Sequence, residues 1–110
     1  MSNIKYMEFQ LIVTIVNKGQ CGAVIDSSLE AGAEGGTIIP GRGSGIHEKA
    51  KLFSFAIEPE KDIILTLVPS DRTKKVLEAI VEATKLNEPG NGIAFVIDVE
   101  KTTGINHLIE

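Results

Sequence analysis

The residues best suited to chemistry gather in one stretch, Gly35 to Glu48, which reads GGTIIPGRGSGIHE. It begins as a β-strand and then dissolves into glycines, with Arg42 and His47 among them. Closely spaced glycines let backbone N–H groups approach a ligand and converge on it, forming a concavity that holds an anion with little side-chain charge. Other chemistries fit this chain less well. His47 and His107 lack the paired spacing of metal ligands, so His47 beside Glu48 reads as a solvated loop pair and no metal site is assigned. Cys21 falls on the apolar stripe of a helix, which suits a small buried side chain better than the nucleophile of a Cys–His pair. No G-x-S-x-G elbow occurs, and GRGSG lacks the Gly-Lys-Ser/Thr ending of a P-loop. The charge run Arg72 to Lys75 opposes the dipole of the helix it opens and reads as a solvated face.

The elements that must position this stretch fit one compact domain, residues 1–110, with 43% hydrophobic residues for a core. The longest apolar runs, such as Leu11 to Val16 and Ile63 to Val68, are far shorter than the roughly 20 residues of a membrane helix. The first residues, with Asn3, Lys5 and Glu8, lack the hydrophobic region of a secretory signal. A soluble, cytoplasmic protein without membrane insertion is expected, and a single cysteine excludes an internal disulfide. A net charge of −4 argues against nucleic-acid binding, which needs a basic face. An RNA-binding sheet would also need exposed aromatics, and Phe9 and Phe95 are the only ones expected on the main strands.

Alternation at Phe9, Leu11, Val13 and Ile15 predicts a first strand with one well-buried face. Cys21, Val24, Ile25, Ser28 and Leu29 follow helical spacing, and Gly32 stands where a helix stops. Thr37 to Ile39 reads as a second strand, and Asp62 to Val68 as a third that is apolar on nearly every position. Ser70 is expected as N-cap with Asp71 in the first turn of a second helix, whose stripe is Val76, Leu77, Ile80, Val81 and Thr84. Asn87 to Gly92 is dense in turn formers, and Ile93 to Val99 closes the chain as a last strand. This β-α-β-β-α-β order predicts an α+β, ferredoxin-like sandwich: an antiparallel four-stranded sheet, two helices on one face, and a long loop between strands two and three. If Phe9, Leu11, Val13 and Ile15 meet the helices, Ile12 and Val16 still leave the other sheet face apolar, and an oligomer is expected to bury it. Within the long connection, Leu52, Phe53, Phe55 and Ile57 alternate imperfectly, as in an extended β-arm.

Taken in order, GGT, the glycine-spaced GSG at Gly43 to Gly45, the long loop, EKDIILTLVP, VLEAIVEAT and PGNG followed by IAFVIDVE resemble the PII signal-transduction proteins, from about Met7 to Gly104. The resemblance implies a homotrimer with an adenine nucleotide between neighbouring subunits. The nucleotide would lie between the base of a T-loop, about 41–61, and a B-loop, about 85–92. It implies Gly43, Ser44 and Gly45 on the T-loop side, Gly90, Asn91 and Gly92 on the B-loop side, and Thr37 near the adenine.

This chain departs from the family pattern where phosphate is gripped. Ile93 stands where the family places a lysine, and Glu100 to Gly104 contain no arginine pair. Arg42, Lys61 and Lys101 are the candidates for compensation, and ADP or AMP, with or without magnesium, is expected in preference to ATP. Tyr6 lies outside the loop, so nucleotidylation of a loop tyrosine is not expected, while Ser44 and Ser54 are exposed-serine candidates for modification. The resemblance implies a non-enzymatic sensor whose T-loop docks on a target protein, in relatives a membrane transporter or a metabolic enzyme. Phe53 and Phe55 are the candidate partner contacts. The alternatives are a metal-binding or structural trimer of the copper-tolerance type using His47, Glu48 or His107, a sensor of a different small anion, and a slow nucleotide hydrolase with Glu60 or Glu88 as base.

Overall fold

A computed structural model describes residues 8–45, 51–52, 55–56 and 59–104. Tyr6, His47, Glu48, Phe53, Ser54 and His107 lie outside them, and Phe55 is described only as a strand residue. The described elements are β1 (Phe9–Asn17), α1 (Cys21–Glu30), β2 (Thr37–Arg42), β3 (Lys51–Leu52), β4 (Phe55–Ala56), β5 (Glu60–Pro69), α2 (Thr73–Thr84) and β6 (Gly92–Val99). β2, β5, β1 and β6 form an antiparallel sheet in that order. Set apart from it, β3 and β4 make a short hairpin within the long connection, where the sequence suggests a single β-arm.

Which side of β1 meets the helices differs from the sequence pattern. Ile12 and Val16, with Ile64 and Val68 of β5, form the core with Val24 of α1 and with Val76 and Ile80 of α2. Phe9, Leu11, Val13 and Ile15 therefore lie on the face away from the helices, contrary to the expectation that they meet them. The reason is physical: β1 is apolar on both faces, and its interleaved Thr14 is small enough to be buried, so alternation alone cannot choose a side. Cys21 packs against this core, as a small apolar residue would.

Helix ends follow local chemistry. After α1, Ala33 N–H donates to Ser28 O at 2.9 Å and Gly32 N–H to Leu29 O at 3.1 Å, the paired bonds of a Schellman stop. Ser70 does not cap α2 as expected. Its N–H donates to Glu8 O at 2.8 Å, a turn from Pro69 to Arg72 intervenes, and Arg72 occupies the cap position without a side-chain capping bond, its guanidinium donating instead to Gly32 O at 3.1 Å. Asp71 accordingly lies ahead of the first helical turn. β2 continues past Pro40 to Arg42 because it is an edge strand, where a missing N–H costs no ladder bond on the outer side. Among the described residues no helix is long and apolar enough to cross a membrane.

Candidate functional site

Antiparallel order brings the ends of β1 and β2 and the starts of β5 and β6 to one rim of the sheet. β2 ends with Arg42 opposite Glu60, and Gly43 N–H adds one more rung by donating to Pro59 O at 3.1 Å. The stem of the long loop is thereby pinned. β6 starts with Gly92 opposite Val16, so the turn before it stands beside that stem.

A cleft of about 360 Å³ opens between them, lined by Arg42, Gly43, Ser44, Gly45, Lys61, Gly90 and Gly92, with Ile15, Ile63 and Ile93 as apolar wall. Among the described residues its lining holds two cations and no carboxylate. Glu60, the cross-strand neighbour of Arg42, is engaged instead by Lys18 Nζ at 3.1 Å. Lys61 is buried to 6% exposure although it carries a charge, and its Nζ donates to Asn17 Oδ1 at 2.7 Å. Asn17 Nδ2 in turn donates to Gly90 O at 3.1 Å. Two glycine turns, two cations and an apolar wall suit an anion that carries a flat or apolar body.

Seven of the ten expected ligand residues meet in this cleft; Thr37, Asn91 and Lys101 do not. Thr37 begins β2 and stands opposite Leu65, at the other end of the strand from Arg42. Asn91 turns to the end of α2, where its Nδ2 donates to Lys85 O at 2.9 Å and to Thr84 O at 3.4 Å. Its role is to cap that helix rather than to line the cleft. Lys101 follows β6 at the opposite end of the sheet, beside Glu8, Phe9 and Asp98, roughly 25 Å away by strand length. Neither Glu60 nor Glu88 lines the cleft, which leaves the hydrolase alternative without its base there. Glu88 belongs to a wider, shallower groove of about 600 Å³ along α2, with Leu77, Val81, Glu78 and Glu82. Those carboxylates repel an anion. Among the described residues no group of three His, Cys, Asp or Glu side chains is placed to hold a metal, and His47, Glu48 and His107 lie outside those residues.

Ile15, Ile63 and Asn17 are the parts that sequence reasoning missed; Ile93 is noted there only as standing where the family places a lysine. Ile15 and Ile63 look like ordinary strand residues, yet both are the last apolar positions on their face of the sheet before the rim. The available signal was the change from apolar to polar at Asn17 on the Phe9–Ile15 face.

Two comparisons bear on this arrangement. A family model described as nitrogen regulatory protein P-II matches residues 9–107. The fold is similar to that of Arabidopsis thaliana PII bound to citrate, with a TM-score of 0.71 and 23% identity over 91% of this chain and 85% of that one.

Proposed function

Because the chain belongs to the nitrogen regulatory protein P-II family, we propose that it is a non-enzymatic regulator that binds a small anionic effector, an adenine nucleotide, in the cleft between its two glycine turns. The observation that carries this reading is the meeting of Gly43–Gly45 with Gly90 and Gly92 around Arg42 and Lys61 in a cleft that no carboxylate lines among the described residues. The turns supply N–H groups to phosphate, the cations neutralise it, and Ile15, Ile63 and Ile93 cover an apolar ring. With Ile93 rather than a lysine at the mouth, the cleft has charge for a short phosphate chain, and ADP or AMP is preferred to ATP.

The reading extends to regulation. Gly43 is bonded to Pro59 at the stem of the long loop, so a ligand seated on residues 43–45 touches the base of the T-loop, about 41–61. A ligand that contacts one loop arrangement better than another shifts their populations by that difference alone. The loop then docks on or releases a target protein in the cytoplasm. In this reading the whole chain is one domain, and three copies pack their open sheet faces together and complete each cleft between neighbours. Lys101 serves only where a neighbouring copy brings it there. The citrate held by Arabidopsis PII favours one second reading, a compact polycarboxylate in place of the nucleotide.

Calorimetric titration with AMP, ADP, ATP and citrate tests both readings. Saturable binding of ADP is expected, with ATP weaker. Lys61→Met, which keeps the aliphatic stem and removes the charge, should weaken ADP binding by about tenfold to a hundredfold. Citrate binding without ADP binding would select the second reading, and no heat from any of them would overturn the cleft as an anion site.

A further inference from the structure

We infer that Asn17 is the positioning residue of the cleft, a brace that holds the Lys61 ammonium and the Gly90 turn on opposite sides of the ligand. The inference rests on the anion-binding reading of that cleft. Asn17 closes β1, the strand that separates β5 from β6. It stands directly opposite Lys61 in the β1–β5 register, while its neighbour Val16 stands opposite Gly92 in the β1–β6 register. One short side chain at this point therefore reaches both walls.

Chemistry fixes which way the amide points. An ammonium only donates and a peptide carbonyl only accepts, so Oδ1 must face Lys61 Nζ and Nδ2 must face Gly90 O. Exchanging the two ends would oppose donor to donor and acceptor to acceptor. A lysine head has a flexible four-carbon stem and many rotamers. Held in advance by a charge-assisted bond of 2.7 Å, it meets an arriving anion without first losing that freedom. The same amide engages the Gly90 carbonyl and so fixes the turn that forms the opposite wall of the cleft.

Two variants separate bracing from a generic strand-end bond. Asn17→Ala removes both bonds and leaves the charge of Lys61. Asn17→Asp keeps an acceptor for Lys61 but sets a carboxylate against the Gly90 carbonyl, in a cleft whose described lining otherwise has none. ADP affinity is expected to fall about tenfold in Asn17→Ala, the worth of a charge-assisted bond, and by about a hundredfold in Asn17→Asp. In the unliganded protein, Asn17→Ala should speed amide exchange at Gly92 and at Gly43 together, while Val13 and Leu65 in mid-sheet keep their wild-type rates. Variants that bind ADP as tightly as the wild type, or exchange that rises at one turn alone or throughout the sheet, would overturn the inference. If the wild-type chain takes no ADP, the cleft reading falls, and the exchange rates still decide whether Asn17 is the brace.

Discussion

Phe95→Asp is expected to convert an oligomer into single chains, read by light scattering as a fall in mass to that of one chain. The sheet face away from the helices carries Leu11, Val13 and Ile15 of β1, Ile63, Leu65 and Leu67 of β5, Ile39 of β2, and Ile93, Phe95 and Ile97 of β6. In one chain Ile93, Phe95 and Ile97 are 56%, 42% and 47% exposed, a run of large apolar side chains along one face of the kind that marks an interaction surface. Phe95 lies opposite Val13, in the middle of this face. An aspartate there forfeits about 2 kcal/mol of apolar burial per copy and sets an unpaired carboxylate in the contact, a cost of several kcal/mol more. Lys74→Asp, on the exposed side of α2, should leave the mass unchanged. An unaltered mass for Phe95→Asp would mean that this face is not the contact.

The second large effect is at the turn before β6. A Cβ on Gly92 would collide with the backbone carbonyl of Ile15, and φ is +136°. Neither the β1 backbone nor the turn can yield without breaking the first rung of the β1–β6 ladder. Gly92→Ala should therefore destabilise the fold by about 3 kcal/mol or more in chemical denaturation, and lose ligand binding with it. Gly90 is different: φ is +86°, but a Cβ there meets nothing within 4 Å. Gly90→Ala should cost only about 1 kcal/mol of backbone strain and keep the fold while weakening ADP. Equal destabilisation by the two substitutions would contradict this division of labour.

Much of this was legible because period and punctuation agreed. The α1 stripe and Gly32, the unbroken apolar run of β5 and the turn formers before β6 each point to one element, and each element is found there. The face of β1 was not legible, because both of its faces are apolar and only the helices decide between them. Ser70 looked like a cap because a side chain's capping power is local, whereas its backbone N–H is claimed by Glu8, distant in sequence. The cleft was half legible. Gly43–Gly45, Gly90 and Gly92 announce themselves by composition, and Lys61 by its place at the loop base. Asn91 belongs to the same turn but points to α2, which follows from side-chain direction rather than from sequence position. Asn17 and the isoleucine wall depend on the strand register, which no single segment encodes.

Amide hydrogen exchange, compared with and without saturating ADP, tests the central claim most directly, because it reports where the ligand sits as well as whether it binds. Slower exchange at Gly43 to Gly45 and at Gly90 to Gly92, together and in the same range of ADP concentration, is the predicted result. Unchanged rates at both turns, with protection confined to the groove of Leu77, Val81 and Glu82 along α2, would contradict it.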